Sequence, residues 1–166
     1  AIVKLIEKYQ LSKNDRVIVH GSGGMAKAVV AAFKHSGFEK VNIFARNEKT
    51  GNYLAALYGY DYIASLDNQT AEILVNVTPI GMKGGKEAFD LAFPEAMIHQ
   101  AKTAFDVVAQ PAHTPLIKTA QAFGKQTISG AEVIVLQAVE QFELYTGKRP
   151  SEALIAEAAD YARKNA

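Results

Sequence analysis

The chain has 166 residues, 49% hydrophobic and 21% charged, with a formal net charge of +1 at neutral pH. That length and apolar content suit one globular domain with its own core, and the balanced charge exerts no global pull toward nucleic acid or an anionic membrane. With no cysteine there are no disulfides or thiolate metal sites, and no apolar run approaches the ~20 residues of a membrane span.

In chain order, Ile2–Tyr9 opens in a helical pattern, with Ile2, Leu5, Ile6 and Tyr9 on one face. A chain that starts at Ala1 inside a helix has either lost an initiator methionine or is a piece of something longer. An apolar run, Arg16–His20, then reads as a strand and passes through a knot of glycines into the alanine-rich helix Met25–His35. Further strands are expected at Lys40–Phe44, Asp61–Ala64, Ile73–Val77, Thr103–Val108 and Lys125–Ile128. Further helices are expected at Lys49–Tyr58, Pro115–Phe123, Ala131–Tyr145 and Glu152–Lys164. Gly37, Gly124 and Gly147 fit the left-handed residue that ends a helix. Thr114-Pro115 reads as an N-cap followed by proline at the first helical position, and Ser151 caps the last helix. Lys83–Pro94, with Gly84, Gly85 and alternating charges, reads as a mobile surface loop. Strand–helix alternation with Val/Ile-rich strands implies a parallel sheet covered on both faces.

The glycine knot needs a reason, because glycine within an element costs roughly 0.5–1 kcal/mol relative to alanine. Gly21-Ser22-Gly23-Gly24-Met25-Ala26 is G-x-G-x-x-A, directly after a strand and directly opening a helix. That context separates a dinucleotide-binding turn from a chance match. Gly21 makes the tight turn, Gly23 allows backbone to approach a pyrophosphate, and Ala26 packs the helix on the strand. Amides around Gly23, Gly24 and Met25 then face the anion at the positive end of the helix dipole. The competing reading is a tight strand–helix turn without a ligand.

The tip of the next strand bears on which nucleotide. NAD-binding domains usually carry an acid there to accept from the ribose 2′-hydroxyl. Here VNIF runs into Ala45-Arg46-Asn47-Glu48-Lys49-Thr50, so Arg46 stands at the tip with Asn47 and Lys49 close behind. A guanidinium suits a 2′-phosphate and can stack on adenine, which favours NADP. Glu48 complicates this, since it can bond a ribose or pair with Lys49. A solvated basic turn is the bland alternative.

From Asn76-Val77-Thr78-Pro79-Ile80-Gly81-Met82 onward the sequence resembles a family. With Gly21–Ala26, DVVAQPAHTPL (Asp106–Leu116) and GAEVIVLQAVEQFELYTG (Gly130–Gly147), it is similar to the shikimate dehydrogenases, above all to their divergent shikimate dehydrogenase-like branch. The resemblance covers the C-terminal, NADP-binding half of such an enzyme. The family's first domain, with the lysine–aspartate pair used in catalysis and most of the substrate site, has no counterpart here. Ile2–Tyr9 then corresponds to the helix between the domains.

The resemblance implies that Gly21, Ser22, Gly23, Gly24, Met25 and Ala26 hold the pyrophosphate and Arg46 the 2′-phosphate. Thr78 and Pro79 would lie along the nicotinamide-side ribose. Val107, Gly130 and Val133 would line the nicotinamide, with the Gly130 carbonyl accepting from its carboxamide. Gln137, on the inward face of its helix, would touch the substrate. Each has a plain structural alternative: a strand-ending turn, core packing, a helix entry, a half-buried helix residue. There are departures too. The tyrosine of the family's D-x-x-Y pattern is Ala109, its second arginine falls at Thr50, and the nicotinamide-facing methionine is Val133. These weaken the case for shikimate itself more than for NADP.

His20, His35, His99 and His113 lack metal-ligand spacing, and Asp106 reads as structural, as does His20 beside the glycine turn. No triad is placed. The expectation is a Rossmann-type doubly wound α/β sheet in the order 3-2-1-4-5-6, three layers deep, with NADP at the carboxyl ends of the strands. The function expected is NADP-linked oxidoreduction of a shikimate-like hydroxyacid, in a cytoplasmic protein without nucleic-acid or membrane partners. The acid/base would come from the missing N-terminal domain of the same polypeptide. A methylene-tetrahydrofolate dehydrogenase and a non-catalytic NADP(H)-binding module are the alternatives.

Overall fold

The computed structural model describes residues 1–164. Its elements are α1 (Ile2–Lys8), β1 (Val17–His20), α2 (Gly24–His35), β2 (Val41–Phe44), α3 (Glu48–Tyr58), β3 (Asp61–Ile63), β4 (Ile73–Asn76), α4 (Glu95–Gln100), β5 (Thr103–Asp106), α5 (Pro115–Ala122), β6 (Gln126–Ile128), α6 (Gly130–Thr146) and α7 (Glu152–Lys164). The strands form one parallel sheet in the order β3-β2-β1-β4-β5-β6, as the sequence predicts. This is the Rossmann-type α/β fold. No helix among the described residues is long and apolar enough to cross a membrane.

Alternation along the strands sends side chains to two cores. Val17, Val19, Ile43, Val75 and Phe105 meet Leu5, Phe33 and Val133 on one face, whereas Ile18, Leu74 and Ala104 meet Met97, Ile98 and Leu116 on the other. With both faces covered, a strand has no polar side, which is why the strands read as continuous apolar runs.

Several ends differ from expectation for identifiable reasons. β5 stops at Asp106 rather than Val108 because the Val108 amide donates to the Asp106 carboxylate at 3.0 Å instead of to the ladder. β1 begins after Arg16, whose amide donates to Glu72 Oε2 at 2.7 Å. α6 starts at Gly130, held by a capping box in which Ser129 and Glu132 bond each other's backbone. The short α4, burying Met97 and Ile98, was not anticipated. The expected caps are present: Thr114 accepts from the Ile117 amide, Ser151 accepts from the Leu154 amide, and Gly147 ends α6 at φ 67°.

Gly130 is where α6 presses hardest on the sheet. A Cβ there would lie 2.3 Å from the Val108 carbonyl oxygen and 2.5 Å from that of Val107. Both neighbours are backbone, so neither can swing away. Gly130→Ala should therefore destabilise the fold by about 1–3 kcal/mol, despite alanine's better helix propensity. Urea unfolding of the two proteins checks this, and an unchanged midpoint would refute it.

Candidate functional site

The carboxyl ends of β1 and β4 flank the point where the strand order reverses, the usual ligand crevice of such a sheet. Gly21 leaves β1 at φ +130, and a Cβ on it would lie 2.7 Å from Val77 Cγ2 and 3.1 Å from the Val77 carbonyl carbon. Only glycine serves both the conformation and the contact. Gly23 is the N-cap of α2, and a Cβ on Gly23 or Gly24 would meet nothing within 4 Å. No side chain caps this helix, and no acid stands in its first turn. The leading amides of a 12-residue helix thus face open space at the positive end of its dipole. Such an end fits an anionic group brought close to bare backbone. Ala26 is fully buried beneath it, Met25 is half-buried, and Ser22 bonds Thr50 across the turn at 2.7 Å between hydroxyl oxygens.

At the tip of β2, Arg46 and Lys49 are exposed. Asn47 is engaged as the N-cap of α3, accepting from the Thr50 amide at 3.1 Å. Arg46 bonds neither Glu48 nor a neighbour in sequence. Its two terminal nitrogens donate to the two carboxylate oxygens of Glu87, at 3.0 and 2.9 Å. Glu87 arrives on the segment between β4 and α4, which the sequence presents as a loose loop. Phe89 is indeed 95% exposed, but Ala92 and Phe93 are buried. The segment is tied down where Gly81 donates to the Glu87 carbonyl and Lys83 to the Gln110 carbonyl, both at 2.9 Å. Sequence reasoning missed Glu87 because its partner lies 41 residues away.

His20, buried at the end of β1, packs on Phe44 and Phe93, and its Nδ1 lies 2.7 Å from the Ala92 carbonyl. A carbonyl only accepts, so Nδ1 carries the proton. Burial lowers the His20 pKa, which keeps the ring neutral. These contacts tie the ring into the core beside the glycine turn.

The ends of β4 and β5 form a closed polar knot. Asn76 Nδ2 donates to Asp106 Oδ1 and to the Ile80 carbonyl, both at 3.1 Å. The Thr78 amide and hydroxyl donate to Asn76 Oδ1 at 3.0 and 2.6 Å. Asp106 also accepts from Thr114 Oγ1 at 2.7 Å and from the Val108 amide. Burial nevertheless pushes its pKa up to about 6, against the pull of these hydrogen bonds. Pro79 is exposed, Val107 half-buried and Val133 buried beside Gly130. Gln137, expected on the inward face of α6, lies one turn beyond the buried Val133 on the same face of the helix and is exposed. A cleft of about 960 Å³ is lined by α1, α6, α7 and the segment of Ala109, and not by the glycine turn. No cluster of metal-ligating side chains exists among the described residues.

No family model matches the chain. It is 77% identical over 163 residues to the shikimate dehydrogenase-like protein of Haemophilus influenzae, covering 98% of this chain and 60% of that protein. It is 33% identical over 151 residues to a shikimate dehydrogenase (NADP(+)) of Leptospira interrogans, covering 84% of this chain and 51% of that one. Among solved structures, the shikimate 5-dehydrogenase of Thermus thermophilus in complex with NADP(H) and shikimate superposes with a TM-score of 0.82 at 25% identity, over 96% of this chain and 60% of that one. The chain is therefore a homologue of the shikimate dehydrogenase-like proteins and, more distantly, of the shikimate dehydrogenases, and spans at most about 60% of the length of these relatives.

The Asp106 shift has a sign that can be measured. The folded protein holds this proton up to about pH 6, whereas an unfolded aspartate releases it near 3.8. The group's contribution is thus least unfavourable in acid, and stability is lost as pH rises from about 4 through 6, by about 3 kcal/mol. Denaturation curves at stepped pH should show Asp106→Asn lacking this component. Parallel pH profiles for the two proteins would show that Asp106 does not titrate there.

Proposed function

We propose that the chain is the NADP-binding half of an oxidoreductase of the shikimate dehydrogenase type. The complete protein would interconvert 3-dehydroshikimate and shikimate, or a related hydroxyacid such as quinate. The observation that carries this reading is the uncapped, acid-free N-terminus of α2, opened by Gly23 and Gly24 at the switch point of the sheet. It is supported by homologues described as NADP(+)-dependent shikimate dehydrogenases.

On this reading, Gly21 through Ala26 hold the pyrophosphate and Arg46 the 2′-phosphate, with Lys49 adding a weaker, more mobile charge. Asn47 contributes by capping α3, which fixes the start of the helix behind Arg46. Thr78 and Pro79 border the ribose on the nicotinamide side, and Val107, Gly130 and Val133 wall the nicotinamide. When bound, the nicotinamide gives or takes the hydride. This chain positions and shields it. Asp106, buried and bonded by three donors, is no free acid/base. The acid/base would come from the remainder of a longer polypeptide, with α1 as the connecting helix.

A second reading, an NADP(H)-binding module without catalysis, draws support from Ala109, which offers no hydroxyl to a substrate carboxylate. Turnover by the complete protein separates the two. The 166-residue chain by itself should bind NADPH yet show no dehydrogenation of shikimate or quinate, and clear turnover by it would refute the proposed division of labour.

Two substitutions test the site. Arg46→Ala should weaken NADPH binding about tenfold, the lower end for a charge-assisted bond at an exposed site, and barely change NADH binding. Equal losses for both cofactors would mean that Arg46 only stacks on adenine. In the complete protein, Ala109→Tyr should lower the KM for shikimate by restoring a hydrogen bond worth about 1.5–3 kcal/mol. A flat or raised KM would count against shikimate as substrate.

A further inference from the structure

We propose that Glu87 is a specificity-determining residue of the dinucleotide site. Its carboxylate occupies the place at Arg46 that a ribose 2′-phosphate would take, and it offers a ribose hydroxyl acceptor instead, so it holds down the preference for NADP over NAD. The inference rests on the reading of Gly21–Arg46 as a dinucleotide site.

The geometry is that of substitution. Arg46 uses both terminal nitrogens, Nη1 to one Glu87 oxygen at 3.0 Å and Nη2 to the other at 2.9 Å. A phosphate takes a guanidinium through the same two parallel bonds, so carboxylate and phosphate compete for one fork. Nor is Glu87 a surface side chain that happens to lie near. Its carbonyl accepts from the Gly81 and Asp90 amides at 2.9 and 3.2 Å. Upstream, the Lys83 amide donates to the Gln110 carbonyl; downstream, His20 Nδ1 donates to the Ala92 carbonyl, and Ala92 and Phe93 are buried. The segment is anchored on both sides of Glu87, so the carboxylate cannot simply drift from the site when a ligand arrives.

Where NAD-binding domains place an acid at the tip of the second strand, this chain has Arg46. An acid is nonetheless present, brought from the opposite side of the switch crevice by the segment after β4. An exposed ion pair is weak enough for a phosphate to displace it. The displaced carboxylate stays close, however, and repels a dianion more than it repels a hydroxyl. The same carboxylate can accept from the 2′-hydroxyl of NAD. Glu87 therefore works against NADP and in favour of NAD.

Fluorescence titration of NADPH and NADH, with adenosine 2′-phosphate as a small probe, tests this on wild type, Glu87→Gln and Glu87→Asp. Glu87→Gln should bind NADPH and adenosine 2′-phosphate about tenfold more tightly and NADH no more tightly than wild type, from the loss of one charge beside a dianion. Glu87→Asp keeps the charge but withdraws it by one methylene and should fall between, which preserves the test if the glutamine variant does not fold. An unchanged NADPH-to-NADH ratio in a variant that binds both would overturn the proposal and leave the dinucleotide reading standing. Failure of wild type and variants alike to bind either dinucleotide would overturn both.

Discussion

The fit of Gly21 against Val77 is the constraint from which the site follows. β1 and β4 are neighbours, and the chain must turn away from β1 in a space where a Cβ would lie 2.7 Å from Val77. A residue without a side chain, at φ +130, resolves it. The turn then delivers Gly23 as an N-cap without a side chain, and Ala26 seals α2 onto the sheet. The helix is pinned from below and left open at its end. Packing beneath the turn and unspent donors above it are two results of one local geometry.

The two halves of the carboxyl edge spend their polar groups differently. Beyond β4 and β5, Asn76, Thr78, Asp106 and Thr114 bond one another, and little of that capacity is left for a ligand. The cost is a buried carboxylate whose pKa rises to about 6. What is obtained is order: the Asp106 carboxylate holds both the Val108 amide and the Thr114 cap of α5. Beyond β1 the amides of α2 have no such partners in side chains. The N-terminus of α2 is left open, while the other half of the edge is closed and carries the scaffold.

Much of this was legible in the sequence. Strand–helix alternation carried the sheet order, since parallel strands with short crossovers leave few topologies. The glycine turn and the Thr114 and Ser151 caps were local patterns with local causes. What escaped was set at a distance. Arg46 could be read as a cation at a strand tip, but its partner comes from a segment whose glycines and charges suggested looseness. The anchors of that segment are a backbone bond to Gln110 and the His20 ring on the Ala92 carbonyl, invisible to composition. Gln137 was placed on the inward face by analogy; it shares the face of Val133, but one turn further along α6 that face is exposed. The Ser129–Glu132 capping box was a readable S-x-x-E signal that the helix start at Ala131 passed over.

On the proposed reading, affinity and selectivity for the dinucleotide rest on different elements. The pyrophosphate would meet neutral backbone amides and a helix dipole, fixed by the sheet beneath and indifferent to which ribose follows. The adenosine ribose would meet Arg46, 63% exposed at its side chain, and Glu87, 33% exposed. At such exposure each charge is screened, and neither dominates as it would in a dry interior. Selectivity there is a small difference between two ionic contacts, so one charge on the segment after β4 can shift it. The contribution of Gly21–Ala26, common to both dinucleotides, stays where it was.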